Sequence, residues 1–406
     1  MAVVHPISRA WISAGGTGAR NYDEFADDGE ITEIIAGNPQ SALAIEMPHR
    51  APESLGKTFT ASLPDAVARL ARLRDAGYLT PAQDVVALYR IGAPDRPDEA
   101  AYGVFAMVDT DQISSAAGEP GLVIRNEDVF IEKVRERVAL AQATGHLLSP
   151  VLLLQTAAGE PLHAALRSAV ESAGAPAVTD IDHAGRVHAV WALPADSPVA
   201  NQIVELAGAG ELVVADGNHR SLAAQTAGLR RFLAVITTPE SVTIDPYHRL
   251  ITELPMAVPD LLTALMTAGA RVTETPEVGP PPGRGVVHLY AQDRTFRVEL
   301  PIPAEESSSF VDRMDHSIVE RLLIRDALQF DPGDKRIVYV GGDYPPEWLA
   351  GEVDAGRADL AILIAPVTVA DFIQVNLARE KMPRKSTWFT PKARAGLVLA
   401  EIAAEG

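Results

Sequence analysis

The sequence predicts a mixed α/β protein. Short continuous apolar runs, with the length of buried strands, alternate along the chain with segments whose apolar residues recur every three to four positions. Apolar residues make up 47% and charged residues 22% of the 406 residues, ordinary values for a folded globular chain. Nowhere do eighteen apolar residues run together, so no membrane span is expected.

The N-terminal elements come first. The glycine-rich loop SAGGTGAR (13–20) precedes a predicted helix from Asp28 to Ala36. ALAIEM (42–47) reads as a strand. Leu63, Val67, Leu70 and Leu73 share one face of a predicted helix that runs from Leu63 to Ala76 and is ended by Gly77. DVVALYRIG (84–92) and YGVFAMVD (102–109) read as two strands joined by a Pro- and Asp-containing turn. The loop at 13–20 lacks the Gly-Lys-Ser/Thr of a Walker loop and the third glycine of a dinucleotide fingerprint. It is expected to be mobile, with Arg20 facing a pocket.

In the middle of the chain, VIRNED (123–128) leads into a predicted helix, Val129 to Ala143. Ile131, Val134, Val138 and Ala141 form its inner face, Asn126 or Asp128 its cap, and Gly145 its stop. SPVLLLQ (149–155) is a buried strand, 161–173 a helix, and VHAVWAL (187–193) a strand followed by a short helix. Beyond Pro255, a helix (259–268), the linker-like VGPPPGRG (278–285) and the strands GVVHLYAQ and TFRVELP suggest a subdomain. The alternation then resumes with helix 316–329, strand 336–342, helix 346–353, strand 360–366 and helix 368–379. MPRKSTWFTPKARAG (382–396) precedes a predicted final helix. The expected division is 1–120, 121–254 and 255–406.

Lys plus Arg is 35 and Asp plus Glu is 54, a net charge of −19. Such a surface repels a phosphate backbone, so general nucleic-acid binding is not expected. There are no cysteines, which excludes disulfides, thiolate metal sites and Cys nucleophiles and fits a cytoplasmic protein. The first thirty residues lack the apolar stretch of a signal peptide. The histidines show no zinc-ligand spacing, and no Gly-x-Ser-x-Gly elbow is present. The sequence leaves a homo-oligomer open.

The densest chemistry lies in GELVVADGNHRSLAAQTAG (210–228). ELVVA reads as a strand, and HRSLAAQTA as a helix stopped by Gly228. A strand-turn-helix presents unpaired backbone N–H groups and the positive end of a helix dipole at the turn. Gly217 allows close approach to the backbone. Asn218, His219 and Arg220 add side-chain donors, and Asp216 is a candidate ligand for a divalent cation bridging phosphates. The competing reading is that Asp216 or Asn218 caps the helix and Arg220 pairs with a surface carboxylate.

The stretch resembles the Asp-Gly-x-His-Arg motif of the ParB/sulfiredoxin-like superfamily, which includes free serine kinases. The order of elements agrees over residues 122 to 236. The wider chain resembles the domain-of-unknown-function family numbered 1015. That likeness rests on Asn21-Tyr22-Asp23-Glu24, Asn38-Pro39-Gln40-Ser41, Asn126-Glu127-Asp128-Val129, Ala215 to Arg220, and Met382 to Lys392, the last matching at every fixed position. The chain departs from the family pattern at Asn126, Asn218 and Ser221, where the family carries His, His and often Tyr. Asparagine hydrogen-bonds but does not titrate, so proton transfer at the first two positions is in doubt.

The resemblance implies a ParB/sulfiredoxin-like core with additional N-terminal and C-terminal α/β segments. It implies a nucleotide, ATP or ADP, bound with Mg2+ at Asp216–Arg220, and a terminal phosphoryl passed to a small hydroxyl metabolite, with free L-serine as a candidate acceptor. Glu127 is then the base and His219 its catalytic companion at the phosphates; Glu127 also reads as a plain first-turn glutamate favoured by the helix dipole. Tyr22, Asp23, Asn38 and Ser41 fall on motif positions that would line the acceptor pocket, though Asn-Pro and Asp turns are common. Lys385, Ser386, Thr387 and Lys392 are cationic and hydroxyl-rich, fit for a phosphate or carboxylate, or else a structural loop packed by Trp388 and Phe389. The alternative function is a non-catalytic nucleotide- or phosphometabolite-binding switch.

Overall fold

The structure, a computed structural model, describes residues 3–22, 24–25, 28–93, 96–114, 119–125, 127 and 129–402. The chain is mixed α/β and groups into two compact units: Met1–Val242 with Pro391–Gly406, and Thr243–Thr390.

The first unit is built on one large sheet. Its strands run in the order Ile113–Ser114, Val123–Ile124, Leu212–Asp216, Val151–Gln155, Arg231–Thr237, Arg96–Asp109, Leu79–Ala93, Ile7–Ser13, Val398–Glu401 and His146–Leu147. Leu79–Ala93 is 15 residues long, so it also pairs with Val187–Pro194, which carries Val178–Ile181 outside it. Leu212–Asp216 is parallel to Val123–Ile124 and antiparallel to Val151–Gln155. All five residues of Val151–Gln155 are buried, as an apolar run covered on both faces requires. Helices Gly159–Ser172 and Pro198–Ala207 supply Leu162, Leu166 and Ile203 to the same core cluster as Leu153, Val214 and Ile236. Full burial of each such side chain contributes about 1.5–3 kcal/mol. Helix Ile131–Thr144 packs on helix Asn218–Thr226.

The second unit holds a six-stranded antiparallel sheet in the order Arg271–Thr275, Arg294–Glu299, Val286–Ala291, Leu360–Ile364, His248–Ile251 and Ile337–Val340. Thr243–Asp245 pairs separately with Trp388–Thr390. The helix expected at 316–329 starts at Asp315 and continues as a π-helical stretch, Val319–Ala327.

Some expectations fail. The run at 42–47 is helical over Leu43–Glu46. Six residues, five of them apolar, are too short a run to separate strand from helix, and Ser41 Oγ turns the backbone by accepting the Leu43 N–H at 3.3 Å. The predicted final helix is instead the strand Val398–Glu401. Its alanine and glutamate favour a helix, but it fills the slot between Ile7–Ser13 and His146–Leu147 and pairs antiparallel with both. Val67 and Ile131, expected on inner helix faces, are exposed. The buried positions there are Ala66, Arg69, Leu70 and Leu73 in one helix, and Val134, Arg137, Leu140, Ala141 and Thr144 in the other. In the glycine-rich loop Thr17 Oγ1 donates to Gly396 O at 2.7 Å, and Asn38 Nδ2 to Gly16 O at 2.9 Å. Among the described residues no helix is long and apolar enough to cross a membrane.

Candidate functional site

Asp216 closes the strand Leu212–Asp216 at a β-bulge. Val214 pairs with Leu153 and Asp216 with Leu152, so Ala215 is the extra residue. Gly217 follows with φ 98° and ψ 31°, a left-handed conformation. A Cβ on Gly217 would stand 2.9 Å from Arg220 Nε. Glycine is therefore required twice over, by backbone and by the guanidinium folded back across the turn. Helix Asn218–Thr226 begins directly after it.

Arg220 is buried and binds three partners. Nη1 donates to Asn21 Oδ1 at 3.1 Å and to the Pro150 carbonyl, and Nη2 donates to Asp216 Oδ2. The second oxygen of Asp216 accepts from Lys392 Nζ at 3.1 Å, across 176 residues of sequence. One carboxylate thus meets two cations. Asn218, His219 and Arg220 are all buried, whereas the Asp216 and Lys392 side chains keep 17% and 13% exposure. The Asp216–Lys392 pair is the accessible end of the cluster, with Arg220 behind it.

His219 joins the turn to the segment that carries Glu127. Its Nε2 accepts the Phe130 N–H at 3.0 Å, and its ring lies nearly parallel to that of Phe130, 9° between planes and 6.0 Å between centroids. An accepting Nε2 leaves the proton of a neutral imidazole on Nδ1. Glu127 is half-buried on the loop between strand Val123–Ile124 and helix Ile131–Thr144. Asn126, Asp128 and Asp23 lie outside the described residues.

Asn21 is a hub that the sequence did not single out beyond its place in a motif. Besides accepting from Arg220, it donates through Nδ2 to Glu24 Oε1 at 2.6 Å and to the Ala393 carbonyl at 3.2 Å. It links the turn to the residue after Lys392. Phe130 and Pro150 were equally unforeseen, because a ring stacked on a histidine and a backbone carbonyl leave no periodic signal. Arg20 turns to Glu30, 2.8 Å away, and to Glu24.

The remaining predicted residues stand elsewhere. Tyr22 is buried with the Arg137 guanidinium 4.0 Å from its ring centroid. Asn38 Oδ1 accepts the Gln40 N–H at 3.2 Å and Ser41 Oγ that of Leu43, so both shape the backbone before helix Leu43–Glu46. The 382–392 motif divides between the units, with Lys392 in the first and Lys385, Ser386 and Thr387 in the second. Lys385 has φ 57° and its ammonium lies 5.6 Å from the Tyr247 ring centroid. Ser386 is buried and donates to the Pro383 carbonyl at 2.5 Å; Thr387 is half-buried.

A cavity of about 50 Å³ adjoins Arg220, with Glu46, Arg137 and Ser149 as further polar lining. It has room for a few waters and not for a nucleotide. Among the described residues no three metal-ligating side chains cluster. Both Asp216 oxygens accept from cations, so Mg2+, which commonly takes one protein carboxylate with phosphate oxygens and waters, would have to displace one of those contacts to use it.

Several solved structures are similar to this chain at low identity. A free serine kinase in complex with AMP matches at 13% identity and TM-score 0.41, covering 70% of this chain and 87% of that one. A conserved hypothetical protein from Pyrococcus furiosus matches at 14% and 0.39, covering 70% and 90%. SbnI with a C-terminal truncation, from Staphylococcus aureus, matches at 12% and 0.38, covering 72% and 85%. No curated protein matches the sequence. A family model described as "Protein of unknown function (DUF1015)" matches residues 15–317, well over half the chain. The matched span includes the turn and ends before the 382–392 motif. The chain belongs to the DUF1015 family.

Proposed function

We propose that the turn binds the phosphates of ATP or ADP from the Asp216–Lys392 side, and that the protein passes a terminal phosphoryl group to a small hydroxyl metabolite. The observation that carries this reading is the convergence of Asp216, Arg220 and Lys392 at the N-terminus of a buried helix. Arg220 anchors Asp216 from behind. Lys392, on the more exposed side of the cluster and already paired with Asp216, would meet a phosphate oxygen. Asp216 would hold Mg2+, which when bound neutralises phosphate charge and orients the terminal group.

Glu127 is the proposed base. Its carboxylate would accept the proton of the substrate hydroxyl as that oxygen bonds to phosphorus and the bridging bond to the nucleotide breaks. The contact between Phe130 and His219 fastens its loop to the turn. Free L-serine is the candidate acceptor, on the motif resemblance. Asn218, at a position where the family carries His, favours a second reading, a nucleotide-responsive module without catalysis.

Phosphorus NMR of the protein with Mg2+, ATP or ADP and L-serine tests both. The expected result is a new phosphoserine signal that Glu127→Gln abolishes. Nucleotide binding without transfer to serine or other hydroxy acids would leave the second reading standing and sink the first.

A further inference from the structure

Beneath the Lys392 segment runs a buried polar chain that the phosphate site does not itself use. Tyr89, in the strand Leu79–Ala93, and His188, in the adjacent strand, are both almost completely buried. The Tyr89 hydroxyl is 2.6 Å from His188 Nδ1, and His188 Nε2 is 3.1 Å from Asp182 Oδ2. The same hydroxyl accepts the Arg394 backbone N–H at 3.2 Å. With a neutral His188, one proton arrangement satisfies all three contacts. The Tyr89 oxygen accepts from Arg394, its O–H donates to His188 Nδ1, and His188 Nε2–H donates to Asp182. Asp182 is fixed in turn, accepting the backbone N–H groups of Ala184 and Arg186 at 2.9 and 2.8 Å.

Arg394 lies two residues beyond Lys392. Its Nε is 3.0 Å from Asp180 Oδ2, and its Nη2 donates to Gly18 O at 2.8 Å. The packing there is tight, since a Cβ on Gly18 would lie 1.9 Å from Asp180 Oδ2. The Ala393 carbonyl between them is held by Asn21, and Ala395 pairs with Ala19 in an isolated bridge. The backbone carrying Lys392 is therefore gripped from the turn side by Asn21 and from the sheet side by Tyr89. An apolar pair at 89 and 188 would pack the sheet without the cost of burying a hydroxyl and an imidazole. What it could not do is fix the Arg394 N–H.

We propose that Tyr89, His188 and Asp182 are positioning residues that hold the 391–395 backbone where Lys392 reaches Asp216. The effect on ligand affinity rests on the reading of the turn as a phosphate site; the effect on Lys392 does not. In that arrangement His188 is neutral; a proton on Nδ1 reverses its bond to Tyr89 and leaves the Tyr89 O–H without its acceptor. Burial, with Asp182 and Asp180 opposing it and Arg394 assisting, lowers the His188 pKa and keeps it neutral at pH 7.

The test is amine acylation of the full chain, read by mass spectrometry as the rate at Lys392 relative to exposed Lys57. Tyr89→Phe, which keeps the ring, should raise that ratio roughly fivefold, the effect of one hydrogen bond. His188→Gln should raise it as well. In the wild type the ratio should stay level down to the ordinary histidine range near 6.5 and climb only below it, and His188→Gln should flatten that climb. Affinity for Mg-ADP, measured by calorimetry alongside, should fall in both variants. Should the wild type fail to bind ADP, the phosphate reading fails while the acylation ratio still decides the positioning role. An unchanged ratio in both variants, with only a lowered melting temperature, would reduce the chain to a structural network and overturn the proposal.

Discussion

At Asp216, in the first unit, a carboxylate is held between Arg220, one helical turn away, and Lys392, 176 residues away, and Arg220 is in turn bonded by the distant Asn21. At Lys385, in the second unit, a left-handed residue rests its ammonium against the Tyr247 ring, and the next hydroxyl bonds a carbonyl three residues back. Both stretches offer cations, and the sequence marks both as phosphate candidates. The difference is the origin of the contacts. The long-range contacts of Lys392 and Asn21 bring opposite charges together around Asp216. The contacts at Ser386 shape its own loop.

If that contrast holds, the turn should be the more fragile to lose. Arg220→Met keeps volume but removes the guanidinium with its bonds to Asn21, the Pro150 carbonyl and Asp216. Truncating one member of a buried ion pair costs about 3–5 kcal/mol. Denaturant unfolding of the full chain should show a loss of that size, and a loss under about 1 kcal/mol would mean that Arg220 is not the anchor. Gly217→Ala should come next, at about 1–2 kcal/mol for the left-handed backbone, with the guanidinium displaced as well. A neutral result would show that the turn can relax and that its geometry is not what holds Arg220.

Most of the fold could be read in the sequence. The helix at 63–75 and the strand at 151–155 announce themselves by period or by continuous apolar character, because their burial is one-faced or complete. Val398–Glu401 does not, since its strand is imposed by two neighbours that sequence analysis cannot seat beside it. The turn itself was legible because strand, glycine and helix are contiguous. Lys392 was legible only as a cation in a motif. That it meets Asp216, that Asn21 bridges Arg220 to Ala393, and that Tyr89 supports Arg394 are all products of tertiary pairing and carry no local signal.

The second unit also carries buried histidines that tie its stability to acid. Burial, aided by the Arg249 charge, pushes His248 and His316 down to about 3. The folded state thus keeps both neutral while the unfolded chain protonates them near 6.5. Stability is present above 6.5 and is lost as pH falls from there towards about 3. Asp315 opposes this in part: burial raises it to about 6, so it takes its proton in the folded state first. His316→Gln should therefore flatten the acid limb of unfolding by up to one proton, about 1.4 kcal/mol per pH unit. An unchanged slope would show that His316 is already accessible to protons in the folded chain.

The sharpest use of the contrast between the two cationic stretches is a paired substitution. Lys392→Met removes an ammonium that reaches the Asp216 carboxylate, and with it one charge-assisted contact to an incoming phosphate. Mg-ADP affinity should fall roughly tenfold, in line with about 1.5 kcal/mol for a hydrogen bond to a charged group. Lys385→Met removes an ammonium resting on an aromatic face, worth about 0.5–1 kcal/mol to local stability where partly exposed. Its effect on Mg-ADP affinity should stay under about twofold, within what screened charge alone would give. Equal losses in the two variants would mean that the lower half of the 382–392 motif also meets the ligand. In that case the local bonding of Ser386 would describe the support of a second anion contact.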